Sequence, residues 1–137
     1  MKGVTITPLK KIPDDRGTIM HMATNKEIPK FGQVYFSTVY PGIVKGWHYH
    51  TKQTLNYCVV KGMIKLVVSV GDEFEEIYLG DRNFCLVTIK PGIYNGFMGL
   101  GTEEAIVCNV IDVPYDKDEI KRFPYDCFDY KWEVKNR

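Results

Sequence analysis

The chain has 137 residues, 45% hydrophobic and 13% aromatic, and its 18 basic and 17 acidic side chains leave a formal charge of +1. That length supports one core and not two, and the balanced charge supplies no field for drawing in nucleic acid or an anionic membrane. The first residues lack the basic start and apolar run of a secretory leader, and no window reaches the ~18 consecutive apolar residues of a membrane span, so a cytoplasmic protein is expected.

Strand-like runs follow one another at 33–40, 43–50, 55–60, 63–70, 75–79, 84–89 and 105–111, rich in Val, Ile, Tyr, Phe and Thr. Pro41-Gly42, Lys61-Gly62, Gly71-Asp72, Gly80-Asp81 and Pro91-Gly92 punctuate them as turns. Short strands at this spacing predict a single all-β domain, a sandwich, jelly roll or barrel. Only 116–122 hints at a helical turn. The stretch 123–137 is too aromatic for a disordered tail, with Phe123, Tyr125, Phe128, Tyr130 and Trp132, and is expected to pack on the barrel or on a second subunit. Four cysteines, Cys58, Cys85, Cys108 and Cys127, show no CxxC spacing, which argues against a zinc ribbon or a disulfide framework. Cys58 and Cys85 lie in apolar strand patterns and read as small core side chains.

Two of the three histidines, His48 and His50, sit one residue apart in Gly46-Trp47-His48-Tyr49-His50. On a strand they project to the same side, and the apolar residues around them favour the interior. Three readings compete. As metal ligands they match the G-x5-H-x-H-x3-4-E-x6-G spacing of cupins at Gly42, His48, His50 and Gly62. Thr54 and Leu55 stand where that motif has its glutamate, however, and Asn95 stands where the second cupin motif has a histidine. Two imidazoles alone do not complete a three-ligand catalytic site, so no metal is expected. As structural groups they would need every ring nitrogen satisfied in an apolar core, a reading better suited to the solitary His21. As acid–base groups they would titrate near neutrality beside a carbonyl substrate.

The block from Gln33 through Tyr35, Ser37, Gly42, Lys45, Gly46 and His48 to Tyr49 resembles, without a gap, the Q-x-N-x-S…G-V-L-R-G-L-H-Y signature of the dTDP-4-dehydrorhamnose 3,5-epimerase family. Asp15-Arg16-Gly17, Val59-Val60-Lys61-Gly62, the Pro91-to-Phe97 loop and the Tyr115-to-Arg122 ending are similar to further family segments. The resemblance implies a cupin double-stranded β-helix, or jelly roll, forming a homodimer with an amino-terminal strand crossing to the partner. It implies an isomerase without a cofactor, acting on a nucleotide-diphosphate-linked 4-keto-6-deoxyhexose of the dTDP type in carbohydrate biosynthesis. A base takes the proton beside the 4-keto group, and a different acid returns one from the opposite face.

Carried over by position, the resemblance makes His48 the base, puts Arg16 and Lys45 on the nucleotide or its phosphates, and sets Gln33 near the nucleobase, with Tyr35 in place of the family's asparagine. The family's tyrosine acid aligns with Cys108, its enolate-stabilising lysine with the neighbourhood of Leu55, and its loop histidine with Asn95. Its base-orienting aspartate has no counterpart here, so another group must fix the imidazole tautomer. Tyr35, Tyr57 or Tyr94 could supply the acid, Asn95 a donor, and His50 a second acid–base group. The Gly46-to-Lys52 segment is also similar to the G-F-H-x-H-K-K segment of sugar 3,4-ketoisomerase cupins, in which both histidines move protons. Epimerisation is the leading expectation. Keto migration, or sugar-nucleotide binding without catalysis, are the alternatives.

Overall fold

The computed structural model describes residues 1–133, so Val134 to Arg137, the end of the expected aromatic tail, lie outside the described residues. Five strands form one antiparallel sheet, in the order β1 (Val4–Pro8), β9 (Cys85–Ile89), β6 (Leu55–Lys61), β11 (Ala105–Ile111) and β4 (Gln33–Val39). Five more form a second, in the order β12 (Ile120–Arg122), β5 (Val44–His50), β10 (Tyr94–Leu100), β7 (Met63–Val70) and β8 (Glu73–Gly80). The hairpin of β2 (Lys10–Asp14) and β3 (Gly17–His21) makes a separate two-stranded sheet. Consecutive strands alternate between the two large sheets over much of the chain, which is the jelly-roll arrangement of a cupin.

The core lies between these sheets. Period-two alternation turns Leu55, Tyr57 and Val59 of β6 and Val107 and Ile111 of β11 inward, where they meet Ile64, Leu66 and Val68 of β7 and Phe97 of β10. Each fully buried aliphatic side chain of this kind contributes about 1.5–3 kcal/mol. Strand β7 is apolar along nearly its whole length because its other face is covered too. There Val67 joins Trp47, Met98 and Trp132 in a second cluster, closed by Phe123, Phe128 and Tyr130 as the chain crosses the outer face of the second sheet. Trp47 lies edge-on to Phe128, with ring centroids 5.2 Å apart, and its Nε1–H donates to the Tyr125 carbonyl at 3.0 Å. The Lys65 ammonium, buried beneath this segment, lies 5.4 Å and 5.7 Å from the Tyr130 and Trp132 ring centroids and 3.6 Å from a Glu76 carboxylate oxygen.

The expected strands are present with ends shifted by a residue or two. Five others were not legible. In β10, Gly96 and Gly99 weaken the strand pattern, yet the packing requires glycine: a Cβ at residue 99 would collide with the Tyr40 carbonyl oxygen. The hairpin β2–β3 hides behind Pro13 and its charges. Strand β12 corrects the helical turn expected at 116–122: the chain turns at 117–119 and then pairs antiparallel with β5, Ile120 opposite His50 and Arg122 opposite His48.

Candidate active site

The ladder between β10 and β5 carries an irregularity that builds the site. Asn95 pairs with His48 and Phe97 with Lys45, so three steps on β5 match two on β10, and the extra residue falls at Gly46-Trp47. Without this bulge, Lys45 and His48, an odd number of residues apart, would face opposite sides. With it, Lys45, His48 and His50 all line one cavity of about 230 Å³ between the sheets, together with Tyr35, Ser37 and Tyr57 of the first sheet and Arg122 of β12. Gly46 permits the close approach of the C-terminal segment, since a Cβ there would come within 2.8 Å of Tyr125. An adjoining lobe of about 180 Å³ shares Tyr35, His50, Ile120 and Arg122 and extends to Gln33, Gln53 and Tyr115. Together the lobes fall within the roughly 300–1,000 Å³ of small-molecule sites. A larger open groove of about 630 Å³ lies under the tail on the other face of the second sheet, but it holds no histidine, and the chemistry belongs to the cleft.

Electrostatically the cleft is cationic. Lys45 Nζ donates to Ser37 Oγ at 2.9 Å, and Arg122 stands beside His48 on the neighbouring strand. Burial, the Arg122 charge, His50 and Lys45 together push the His48 imidazole down to about 4, so it is neutral and able to accept a proton at pH 7. Behind His50 lies the buried Glu119 carboxylate. Its Oε1 meets His50 Nδ1 at 2.8 Å, and its Oε2 accepts the backbone N–H groups of Lys52 at 2.8 Å and Gln53 at 2.7 Å. Burial alone would raise this carboxyl, but the Gln53 and Lys52 donors and the His50 ring outweigh it and hold it below the usual carboxylate range. Across the cleft, the Tyr35 hydroxyl accepts from Asn109 Nδ2 at 2.9 Å, which leaves its own proton free, and burial pushes that phenol upward. The Tyr57 hydroxyl donates to Asn95 Oδ1 at 3.1 Å.

The fold thus gathers His48, His50, Tyr35, Lys45, Gln33 and Tyr57 around the cleft, with Asn95 behind Tyr57. Three expected residues fall elsewhere. Cys108 is buried on the opposite side of β11 from Val107 and Asn109, so its thiol points out of the cleft, and burial pushes it upward into an inert range. Arg16 lies at the tip of the β2–β3 hairpin, highly exposed and paired with Asp14 at 2.6 Å, away from the cleft of its own chain. Tyr94 packs outward against Tyr49, with ring centroids 4.7 Å apart. Glu119 and Arg122 are the residues that motif reading missed. They belong to the quoted Tyr115-to-Arg122 segment, but nothing local tells that a carboxylate 69 residues beyond His50 returns to meet it. Among the described residues no group of three or more His, Cys, Asp or Glu side chains is arranged to hold a metal ion.

Residues 12–123 match the family model described as polysaccharide biosynthesis C-terminal domain. The crystal structure of a dTDP sugar isomerase from Desulfovibrio desulfuricans G20 is 30% identical, with a TM-score of 0.91 over 96% of this chain and 91% of that one. The spore coat polysaccharide biosynthesis protein SpsL of Bacillus subtilis is 28% identical over 98% of both chains. The sugar 3,4-ketoisomerase QdtA of Thermoanaerobacterium thermosaccharolyticum, in complex with TDP, shares the fold at 24% identity, with a TM-score of 0.78 over 90% of each chain.

Proposed function

This chain belongs to the polysaccharide biosynthesis C-terminal domain family and is an isomerase-class enzyme of sugar nucleotides, and we propose that its substrate is a dTDP-linked 4-keto-6-deoxyhexose. One observation carries this reading: a neutral imidazole, His48, shares a cationic cleft with Lys45 and Arg122 and faces tyrosine hydroxyls on the opposite sheet. The two cations suit a diphosphate, although Lys45 gives a point charge and not the planar fork of an arginine. His48 takes the proton from the carbon next to the ketone. The C–H electron pair becomes the enolate double bond, and Tyr35, from the opposite wall, returns a proton to the other face, which inverts that carbon. Gln33 and Tyr115 line the lobe that extends toward the nucleoside; the Gln33 carboxamide oxygen accepts the Tyr115 backbone N–H at 2.8 Å.

A second reading, keto migration between adjacent carbons, is favoured by His50. It stands on the same wall as His48 with its own carboxylate partner, so two imidazoles side by side could move protons along one face of the ring. The name of the 30% identical structure, a dTDP sugar isomerase, supports either outcome. Incubation with dTDP-4-keto-6-deoxyglucose in deuterated water, followed by NMR and mass spectrometry, tests both. Deuterium at a C3 or C5 of inverted configuration supports inversion, and a ketone shifted to C3 supports migration. A substrate recovered unlabelled and unrearranged defeats the two together and leaves a binding module.

The working form is a cytoplasmic homodimer in which the β2–β3 hairpin lies on the partner and carries Arg16 to its cleft. In support, Ile12 and Ile19 pair across that hairpin with 41% and 60% of their surface exposed, and Phe36, on the edge strand β4, is 64% exposed. Light scattering on the purified chain decides: a monomer with full activity refutes it.

A further inference from the structure

Among the buried polar atoms, Asn95 Nδ2 stands out. Asn95 is fully buried on β10 opposite His48, and this donor has no hydrogen-bond partner. Its Oδ1 meanwhile takes the proton of the Tyr57 hydroxyl, which belongs to a side chain lining the cleft from the facing sheet. A buried N–H left unpaired is costlier and rarer than an underused carbonyl. Turning the amide by 180° about its terminal bond exchanges the two atoms with no change in shape. Nδ2–H then donates to the Tyr57 oxygen, and the phenol proton is released toward the cleft. In an empty cleft that exchange gains nothing, because the phenol loses its acceptor as the amide finds one. With a carbonyl oxygen in the cleft, one hydrogen bond becomes two in sequence, Asn95 to Tyr57 and Tyr57 to the ligand, a chain in which each bond strengthens the next.

We propose that Tyr57, positioned by Asn95, is the hydrogen-bond donor to the carbonyl oxygen of the substrate, and that it holds the negative charge arising there when the neighbouring carbon is deprotonated. This rests on the sugar-nucleotide reading given above and adds a catalytic residue to it. In the step itself the C–H bond breaks, its proton passes to the imidazole, and its electron pair forms the carbon–carbon double bond. The carbonyl π pair moves onto oxygen, which accepts from the phenol. The phenol keeps its proton throughout: burial pushes Tyr57 far above the ordinary tyrosine value, so it is a donor and not a base. Imidazole and phenol are anchored on different sheets, β5 and β6, and both line the cleft, so a carbonyl group bound there meets a proton acceptor and an oxygen donor.

Tyr57→Phe and Asn95→Asp in the full chain test this, with dTDP-4-keto-6-deoxyglucose in deuterated water at pH 8 and dTDP alone as a binding probe. Both variants should lose about 10²- to 10³-fold in the rate of deuterium exchange, the usual effect of one lost oxyanion donor. Affinity for dTDP, which has no ketone, should stay within about three-fold, because the interaction is realised only as charge develops. Asn95→Asp separates the roles. An aspartate has the same shape and still accepts the Tyr57 proton, so a merely structural hydrogen bond survives, whereas a carboxylate cannot turn to release the phenol toward the cleft. Wild-type exchange rates in Asn95→Asp, or in a folded Tyr57→Phe, overturn the proposal and leave the parent reading intact. Should Tyr57→Phe fail to fold, Asn95→Asp decides alone. A wild-type protein with neither exchange nor product overturns the parent reading and this inference with it.

Discussion

Replacing Glu119 by glutamine exchanges one carboxylate oxygen for an –NH₂ group and tests how the cleft sets the tautomer of His50. The carboxylate now receives three short hydrogen bonds: Lys52 N–H and Gln53 N–H on Oε2, and the His50 ring on Oε1, at 2.7–2.8 Å. In a glutamine, the position facing two backbone donors must be the carbonyl oxygen, so the amide –NH₂ is forced toward His50 Nδ1. That nitrogen must then accept, and the ring proton moves to Nε2. The imidazole keeps its place but holds its proton on the wrong nitrogen for taking another at Nε2. Loss of the tautomer should cost about 10²- to 10⁴-fold in kcat if His50 carries a proton in the reaction. Exchanging a charged for a neutral acceptor at two buried backbone donors should cost about 2 kcal/mol in stability, a fall of roughly 8 °C in Tm for a chain of this size. Because the folded Glu119 carboxyl lies below its unfolded value, its stabilisation is present above about pH 4.5 and lost as pH falls through the folded value. The variant should therefore show a shallower loss of stability on acidification. Kinetics of dTDP-4-keto-6-deoxyglucose conversion, with melting curves between pH 3 and 8, measure both effects. A Glu119→Gln enzyme with wild-type kcat would refute the assignment of the dyad to catalysis, whatever its Tm.

His48→Ala should abolish exchange while dTDP binding persists, and calorimetry with dTDP shows whether it does. In the wild type, His48 is held near 4 in the folded state against 6.5 unfolded, so the acid limb of kcat/KM should fall near pH 4 and not near 6.5. The unfolded chain binds the extra proton between those values, so stability should rise with pH across that window, by up to about 3 kcal/mol. A Tm flat from pH 4.5 to 6.5 would contradict it. Gly46→Ala places a methyl within 2.8 Å of Tyr125, so it should shift the C-terminal segment and disturb the bulge, with a lower Tm and a raised KM as Lys45 loses its place; unchanged kinetics would show the bulge tolerates a side chain. Lys65→Met keeps the stem that packs under Tyr130 and Trp132 and leaves Glu76 still accepting the Tyr130 hydroxyl at 2.9 Å, so Tm should move by no more than about 4 °C. A collapse on melting would mean the ammonium itself pins the tail.

Period-two alternation and turn residues suffice for the class of fold, because burial on one face of a pleated strand writes itself into the sequence every second position. The runs from Leu55, Met63 and Ala105 are strands for that reason. They suffice equally for the shared direction of His48 and His50, and the gapless block around them carries the resemblance to sugar-nucleotide isomerases that the comparisons bear out. Where long-range contact decides, local pattern is mute. Strand β10 exists because two glycines let neighbouring backbone approach, and β12 exists because the edge of β5 was open to pair. Lys45 joins the cleft only through a bulge that reverses its parity, and a carboxylate 69 residues from His50 becomes its partner only when the chain folds back. Cys108 leaves the site by the same rule of alternation, counted from inward-facing Val107 and Asn109 and not from a family alignment. Tertiary packing settled these points because each depends on which backbone meets which across a ladder, a pairing between residues distant in sequence that neither of them encodes alone.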